Sequence, residues 1–478
     1  MRKKQTKIVA TIGIKRDVEF IEAMYRAGAD VMRLNTAHQD TKEALAVINN
    51  IRQVSDRIAI LIDTKGPEVR VTQLAEDLVC TKGMELKMAG TADQLASSPE
   101  KIYVNYVDFH KDMLTGAVIF IDDGKLELKV EKKTANYLLC KVMNDGLIKS
   151  NKSVNVPGVH LNLPTLNKKD KEFINFSIKH KIDFIAHSFV RNKEDVLAIQ
   201  RILDKHKSSI KIIAKIENLE GVEHIDEILD HAHGIMVARG DLGIEMAAEE
   251  IPLIQKEIIR KCILRHKPVI VATQMLQSMV HNPRPTRAEV SDVANSVIDG
   301  ADAVMLSEES ASGKYPQEAV EIMARIVKRV EASNEKHHFS NLPQIDTENK
   351  IAHYLISAAV EATKELDIKE VIMTSTSGHS AQVMASYRGR TPVYVKCFDK
   401  GIARQLALTY GINAHYVKKE ENHKKFITDL FRYLVKKNKL ELTDKVVFLA
   451  RDIRDGSGAN FMEICEVAKY VKLKNKNK

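Results

Sequence analysis

Eight short apolar runs, separated by stretches of helical periodicity, restrict most strongly what this chain can fold into. They are KIVATI (7–12), VMRLN (31–35), IAILIDT (58–64), DFIAHSF (183–189), KIIAKIE (211–217), GIMVARGD (234–241), PVIVATQ (268–274) and AVMLSEE (303–309). Between them lie VEFIEAMYRAG, KEALAVINNIRQV, KEDVLAIQRILDKH, IQKEIIRKCILRH and PQEAVEIMARIVKRV, whose apolar residues recur at helical spacing. Strands that alternate with helices argue for parallel βα units. Eight such units predict an α/β fold of the (β/α)8 TIM-barrel type.

The rhythm breaks once and then changes. From 68 to about 155 the chain shows short alternating runs with turn signals, among them KIYVNY, AVIFIDDGKLELKV and YLLCKV. This predicts a small all-β domain inserted after strand 3, a place where barrels accept insertions. Helical patterning resumes at NKKDKEFINFSIKH. The polar stretch 331–350 reads as a linker. Beyond it a helix, IAHYLISAAVEATKEL, and the runs EVIMTSTSG, TPVYVKCF and KVVFLAR predict a smaller open α/β domain. The expected division is a barrel over 1–67 and 156–333, an inserted β-barrel over 68–155 and a C-terminal α/β domain over 345–478. A chain of 478 residues is long enough for two or three such cores.

Composition excludes several classes. No apolar stretch approaches a membrane span. The N-terminus MRKKQTKIVATIG is basic but runs straight into a strand, so no signal peptide and a cytoplasmic location are expected. Five widely spaced cysteines without a CxxC suit unpaired thiols. The net charge of +9 is dispersed among Glu and Asp, with no aromatic platform, which argues against a nucleic-acid partner and for an anionic small molecule.

Function in such a barrel sits at the C-terminal strand ends, and six of them end in polar or charged groups. Strand two ends in Arg33 and Asn35, strand three in Asp63, Thr64 and Lys65, strand five in Lys215 and Glu217. Strand six ends in Arg239, Gly240 and Asp241, strand seven in Thr273 and Gln274, strand eight in Ser307, Glu308 and Glu309. Lys215 and Glu217, two apart, face the same way in a strand, and a buried charged pair is costly unless something binds there. Glu217 and Asp241 offer hard oxygens of the kind that hold Mg²⁺ together with substrate phosphate. Arg33 and Lys215 supply positive charge, the glycines of RGDLG let backbone N–H groups approach an anion, and Thr273 adds a hydroxyl. Metal, cations and glycine-rich backbone together suggest phosphoryl transfer.

The stretches MRLNTAH, IDTKGPEVR, IKIIAKIENLEG, MVARGDLGIE, ATQMLQSM and NPRPTRAEVSDVAN make the chain resemble the pyruvate kinase family over nearly its whole length. The resemblance implies phosphoryl transfer from phosphoenolpyruvate to ADP, giving pyruvate and ATP, in a cytoplasmic homotetramer. It implies that Lys215 and Arg33 engage the phosphoryl group, and that Gly240 and Asp241 lie against the substrate. Thr273 and Ser307 would belong to enolate protonation, and Glu217 and Asp241 would bind Mg²⁺ or Mn²⁺. Asn35, His38, Arg70 and Lys152 would contact the nucleotide, with the insert acting as a lid. The family's K⁺ site maps to Asn35, Asp63 and Thr64.

Two departures stand out. The hydroxyl residue expected in the K⁺ site is Ala37, whereas Glu68 in GPEVR matches members that need K⁺; K⁺ dependence is the favoured expectation. The usual Leu-Ser-Gly-Glu-Thr reads LSEES, which sets Glu308 beside Ser307, either perturbing proton delivery or pointing to solvent. In the C-terminal domain TSTSGHSA resembles a phosphate-cradling effector loop with Ser375, Ser377, Gly378 and Ser380, and DGSGANFM matches a second effector loop. Thr376 replaces a lysine often found there, so a sugar phosphate or a nucleotide stays open as effector. Two other readings compete: a pyruvate- or oxaloacetate-binding lyase, and a silent sensor or RNA scaffold. The insert with Arg70 and Lys152 argues against the first, and the retained Lys215, Glu217, Asp241 and Thr273 against the second.

Overall fold

The computed structural model describes residues 4–93, 95–333, 349–418, 423–450 and 459–471. The chain opens with β1 (Lys7–Thr11), β2 (Val31–Asn35) and β3 (Ala59–Asp63). It leaves for eight further strands: β4 (Leu78–Cys80), β5 (Glu85–Gly90), β6 (Ile102–Val104), β7 (Val118–Ile121), β8 (Leu126–Lys133), β9 (Leu138–Val142), β10 (Gly146–Ile148) and β11 (Val154–Asn155). It returns with β12 (Phe184–His187), β13 (Lys211–Ile216), β14 (Gly234–Ala238), β15 (Val269–Ala272) and β16 (Ala303–Leu306). The first three and last five close into one barrel, in the order β1-β16-β15-β14-β13-β12-β3-β2. These are the eight runs picked out by apolar patterning.

Parallel strands covered on both faces are apolar on both, and alternation divides each between two cores. Val9, Val31, Leu61, Phe184, Ile213 and Met236 fill the barrel. Their neighbours Ile8, Met32, Ile60, Ile185, Ile212 and Ile235 face the surrounding helices. The helices begin where local chemistry sets them. Asp40, Asn167 and Thr286 each accept from a backbone N–H three residues on, and the acidic residue there returns a bond, forming capping boxes.

The insert has its own core, built on Leu86, Met88, Ile119, Leu128, Val130 and Cys140. Its strands pair into a two-stranded ribbon, β10-β4, and a six-stranded sheet, β11-β7-β8-β9-β5-β6. Residues 69–72 bond to both edges of that sheet, to β6 on one side and to the segment 151–154 that leads into β11 on the other. One helical turn, Phe109–Asp112, interrupts the expected all-β character. Isolated bridges Arg70↔Ser153 and Val71↔Val104 tie its outgoing crossing to the rest of the insert.

The C-terminal sheet contains β17 (Ile368–Ser375), β18 (Val393–Cys397), β19 (Ile412–Tyr416), β20 (Lys445–Ala450) and β21 (Phe461–Glu466), in the order β19-β18-β17-β20-β21. Strand β21 runs antiparallel to β20. The two edge strands, INAHY and FMEICE, are half-exposed and lack a continuous apolar run. This domain seals the lower, N-terminal mouth of the barrel: Leu408 belongs to the barrel's inner cluster. Removing that plug as Leu408→Ala should cost about 2–5 kcal/mol by the usual scale for buried leucines. Among the described residues no helix is long and apolar enough to cross a membrane.

Candidate active site

The C-terminal ends of the barrel strands bring together a chain of buried charges. Arg33 on β2 donates from Nε to Asp63 Oδ2 (2.7 Å) and from a terminal nitrogen to Thr11 Oγ1 on β1 (2.9 Å). Lys215 on β13 reaches Asp63 Oδ1 at 3.1 Å, Glu217 Oε1 at 2.9 Å and Ser188 Oγ at 2.7 Å. Strand alternation produces this arrangement: Lys215 and Glu217 share a face while Ile212, Ala214 and Ile216 join the outer core.

Burial alone would lower the Lys215 ammonium, yet Asp63 and Glu217 more than offset it and hold its pKa above the ordinary value. Burial likewise opposes the Asp63 carboxylate, but Arg33 and Lys215 keep its pKa below the usual range. Lys215 therefore stays cationic and Asp63 anionic.

Glu217 and Asp241 behave differently. Asp241 lies in the first turn of the short helix Arg239–Glu245 that follows β14 directly. Burial and the adjacent Glu217 push its pKa up to about 7, and the two carboxyl groups share a hydrogen bond. A divalent cation relieves this crowding in place of the shared proton, so the donor set fits Mg²⁺ or Mn²⁺. Among the described residues no three His, Cys, Asp or Glu side chains converge as a metal cage. Two carboxylates with substrate oxygens completing the shell are the usual Mg²⁺ arrangement.

After β15 the backbone turns through Thr273 (φ 68°) and Gln274 (φ 54°). A β-branched residue at positive φ is uncommon and strained. The turn aims Thr273 Oγ1 at the Gly240 N–H, which donates to it at 2.7 Å. Arg239 clamps the turn from below, donating to Asp292 at 2.6 and 2.7 Å and to the Thr273 carbonyl at 2.9 Å. Its role is thus structural.

Asn35 pairs in register with Asp63, and Asn35 Oδ1 accepts from the Ala37 N–H at 3.0 Å. Thr64 Oγ1 and the Thr64 carbonyl are bound by Ser188. The Thr36 hydroxyl is buried without a hydrogen-bond partner among the described residues. Such an orphaned oxygen beside Asn35, with Ala37 lacking one, leaves the neighbourhood compatible with a K⁺ ion. His38 is exposed on the rim.

The hinge residues are held locally. Arg70 makes a two-point pair with Glu68 (2.6 and 2.8 Å) and donates to the Asn151 carbonyl. Lys152 pairs with Asp122 at 2.8 Å. At the tip of the β7–β8 hairpin Asp122, Asp123 and Gly124 all take positive φ, and the Asp123 charge reaches Asp241.

At strand eight, Glu308 is exposed and accepts from Gln277 Nε2 at 3.0 Å, so it points to solvent. The buried Glu309 does the local work, accepting from the Ser307 N–H (2.8 Å) and the Leu276 N–H (3.1 Å). The effector-loop residues lie in the C-terminal domain, where Gly378 (φ 88°) donates to Ser375 Oγ ahead of the helix His379–Ser386. Of DGSGANFM, residues 455–458 lie outside the described residues.

Three participants were not foreseen. Ser188 touches Lys215, Phe189 donates its N–H to Glu217 Oε2 (2.5 Å), and Thr11 holds Arg33. Ser188 is the penultimate residue of the strand-four run DFIAHSF, so the rim argument applied to that run would have found it. A backbone donor such as Phe189 leaves no trace in residue type.

Comparison with known proteins agrees with this architecture. Residues 3–320 match the family model described as pyruvate kinase, barrel domain, and residues 353–465 match pyruvate kinase, alpha/beta domain. The pyruvate kinase of Borreliella burgdorferi is 42% identical over 99% of this chain and 100% of its own length. That of Geobacillus stearothermophilus is 44% identical over 86% of this chain and 71% of its own. The crystal structure of a pyruvate kinase from Cryptosporidium parvum superposes with a TM-score of 0.91 at 33% identity, covering 97% of this chain and 96% of that one.

Proposed function

The chain belongs to the pyruvate kinase family, and on that premise we propose how its own residues carry the transfer of a phosphoryl group from phosphoenolpyruvate to ADP. The observation that carries the assignment of roles is the continuous chain Arg33–Asp63–Lys215–Glu217, buried at the barrel mouth.

Lys215 neutralises charge on the phosphoryl group as it moves, and Asp63 holds the ammonium charged and in place. Arg33, fixed between Asp63 and Thr11, presents its remaining N–H groups to the same phosphoryl oxygens. Such preorganised charges act strongly because the site excludes water. Glu217 and Asp241 would hold a divalent cation, which supplies Lewis-acid stabilisation of developing negative charge when bound. The Gly240 N–H, now given to Thr273, is available to a substrate carboxylate once that hydroxyl turns away. Thr273 and Ser307 lie on the side from which the enolate carbon is protonated. Asn35, His38, Arg70 and Lys152 form the nucleotide rim. For Arg70 and Lys152 this requires release from Glu68 and Asp122, a change that closure of the insert as a lid would accomplish.

K⁺ would sit by Asn35, Asp63 and Thr64. Ser375, Ser377, Gly378 and Ser380 would receive a phosphorylated effector, a sugar phosphate or a nucleotide. A cytoplasmic homotetramer with no nucleic-acid or membrane partner completes the reading.

The test is pyruvate formation from phosphoenolpyruvate and ADP with Mg²⁺, run in K⁺ and again in a large organic cation. Strong stimulation by K⁺ supports a working cation site despite Ala37. Equal rates in both salts remove K⁺ from the reading. No activity in either, with folded protein, removes the assigned roles altogether.

A further inference from the structure

We propose that the hinge of the inserted domain contains a second ligand site, built for a small organic cation with an apolar body. A cavity of about 390 Å³ lies there, within the size range of small-molecule sites. Both crossings between barrel and insert form its walls: Pro67 to Val69 on the way out, and Val154 to Leu161 on the way back. Arg33, Lys215, Asp241 and Thr273 do not line it. Much of the wall is aliphatic, including Val69, Val156, Val159, Leu161 and Leu219.

The polar groups select the ligand's charge. Glu245 faces the cavity, and among the described residues its one polar contact is the Asn155 side chain. It has no ion-pair partner among the described residues, and burial holds its pKa up near 7. Asn155 Oδ1 is buried and has no hydrogen-bond partner among the described residues. Glu220 and Glu223 add negative charge at the rim. The cationic groups that reach the cavity are committed elsewhere. Arg191 is bound by Asp195 and by the carbonyls of Leu161 and Leu163, His160 by Glu220, and His224 Nδ1 by the Arg191 carbonyl. The Asn155 oxygen thus lacks a donor and the Glu245 carboxyl a counter-ion among the described residues. An ammonium or amidinium head meets both, whereas a phosphate or carboxylate would meet carboxylates.

The site is mechanically joined to the reaction. Phe189 lines the cavity and gives its N–H to Glu217. Asn218 follows Glu217, and Glu245 lies one helical turn beyond Asp241. A bound cation would therefore fix the hinge and bear on the Glu217–Asp241 pair. This coupling, but not the binding, rests on the lid reading proposed above.

The experiment uses 2-phenylethylammonium as probe, with phenylacetate and 2-phenylethanol for comparison. Binding to the full chain is followed by saturation-transfer NMR and calorimetry, alongside Glu245→Gln and the cavity-filling Leu161→Trp. Saturable binding of the ammonium, at least tenfold tighter than phenylacetate and weakened at least tenfold in both variants, is expected. Absent binding, equal binding of phenylacetate, or affinity unchanged in both variants overturns the site. The probe should also shift the KM for phosphoenolpyruvate at least twofold in the parent chain and not in the variants. Binding without that shift overturns the coupling to the hinge, and the site stands on the binding data alone.

Discussion

The two mouths of the barrel both carry buried ion pairs, and they differ in what those charges lack. At the lower mouth Asp183 accepts from Arg52 (3.0 Å), from Arg404 of the C-terminal domain (2.6 Å) and from the Ile60 N–H (2.9 Å). Asp302 accepts from both terminal nitrogens of Arg388 and from the Val269 and Tyr410 N–H groups, and Arg388 lies over the Tyr410 ring. Each of these charges has its opposite, and Leu408 closes the interior behind them. At the upper mouth Arg33, Asp63 and Lys215 are matched, but Glu217 and Asp241 crowd two acids together, and Thr273 is held in a strained turn. Buried charge satisfied within the protein serves structure. Buried charge left incomplete marks the place where substrate and metal finish the arrangement.

The sharpest attempt to break this contrast is Lys215→Met. Phosphoryl transfer should fall by roughly a thousandfold or more, as when a preorganised charge is lost. Deuterium exchange into pyruvate, which needs only the enolisation half, should remain measurable. Equal loss of both would mean that Lys215 does not divide the reaction in this way. The mirror experiment is Arg388→Met at the lower mouth. Orphaning Asp302 should cost about 3–5 kcal/mol in urea unfolding, with turnover per folded molecule nearly unchanged. A large drop in kcat at full folding would show that the lower mouth is not merely structural.

A gentler probe uses pH. His266 is buried at the junction with the C-terminal domain and bonded to Ser386 Oγ (2.8 Å). Burial, with smaller contributions from His379 and His353, lowers its pKa to about 4. The unfolded chain, near the ordinary 6.5, binds the proton first, so stability is complete above about pH 6.5 and declines as pH falls toward 4. Melting curves across that window should show the decline, and His266→Gln should flatten it. An identical slope in the variant would assign the acid sensitivity to other groups.

The smallest effect is expected from Thr273→Gly. Glycine accepts φ 68° without strain, which offsets part of its greater unfolded-state entropy, so stability should change by less than about 1 kcal/mol. Activity should nevertheless drop, because the hydroxyl that faces Gly240 is gone. Normal activity would leave the strained turn without a functional reason.

Much of this could be read before any coordinates. The barrel strands were legible because parallel strands buried on both faces must be continuous apolar runs, and the rim residues because polar groups at the ends of such runs are costly. Strands β19 and β21 were not legible, since edge strands with one wet face carry no such run. The short strands of the insert were visible only as alternation, without a pairing scheme.

Residue order alone therefore determined the fold class, the interruption after the third strand and the identity of most candidate groups, since these follow from local periodicity and from the chemistry of short motifs. The tertiary structure decided which of those groups meet. Lys215 is held between Asp63 and Ser188 from other strands, Arg70 is claimed by Glu68, and Glu309 rather than Glu308 turns inward. Such choices depend on distances between residues remote in the chain. They are fixed only when barrel closure brings the strand ends together and burial makes every unpaired charge expensive.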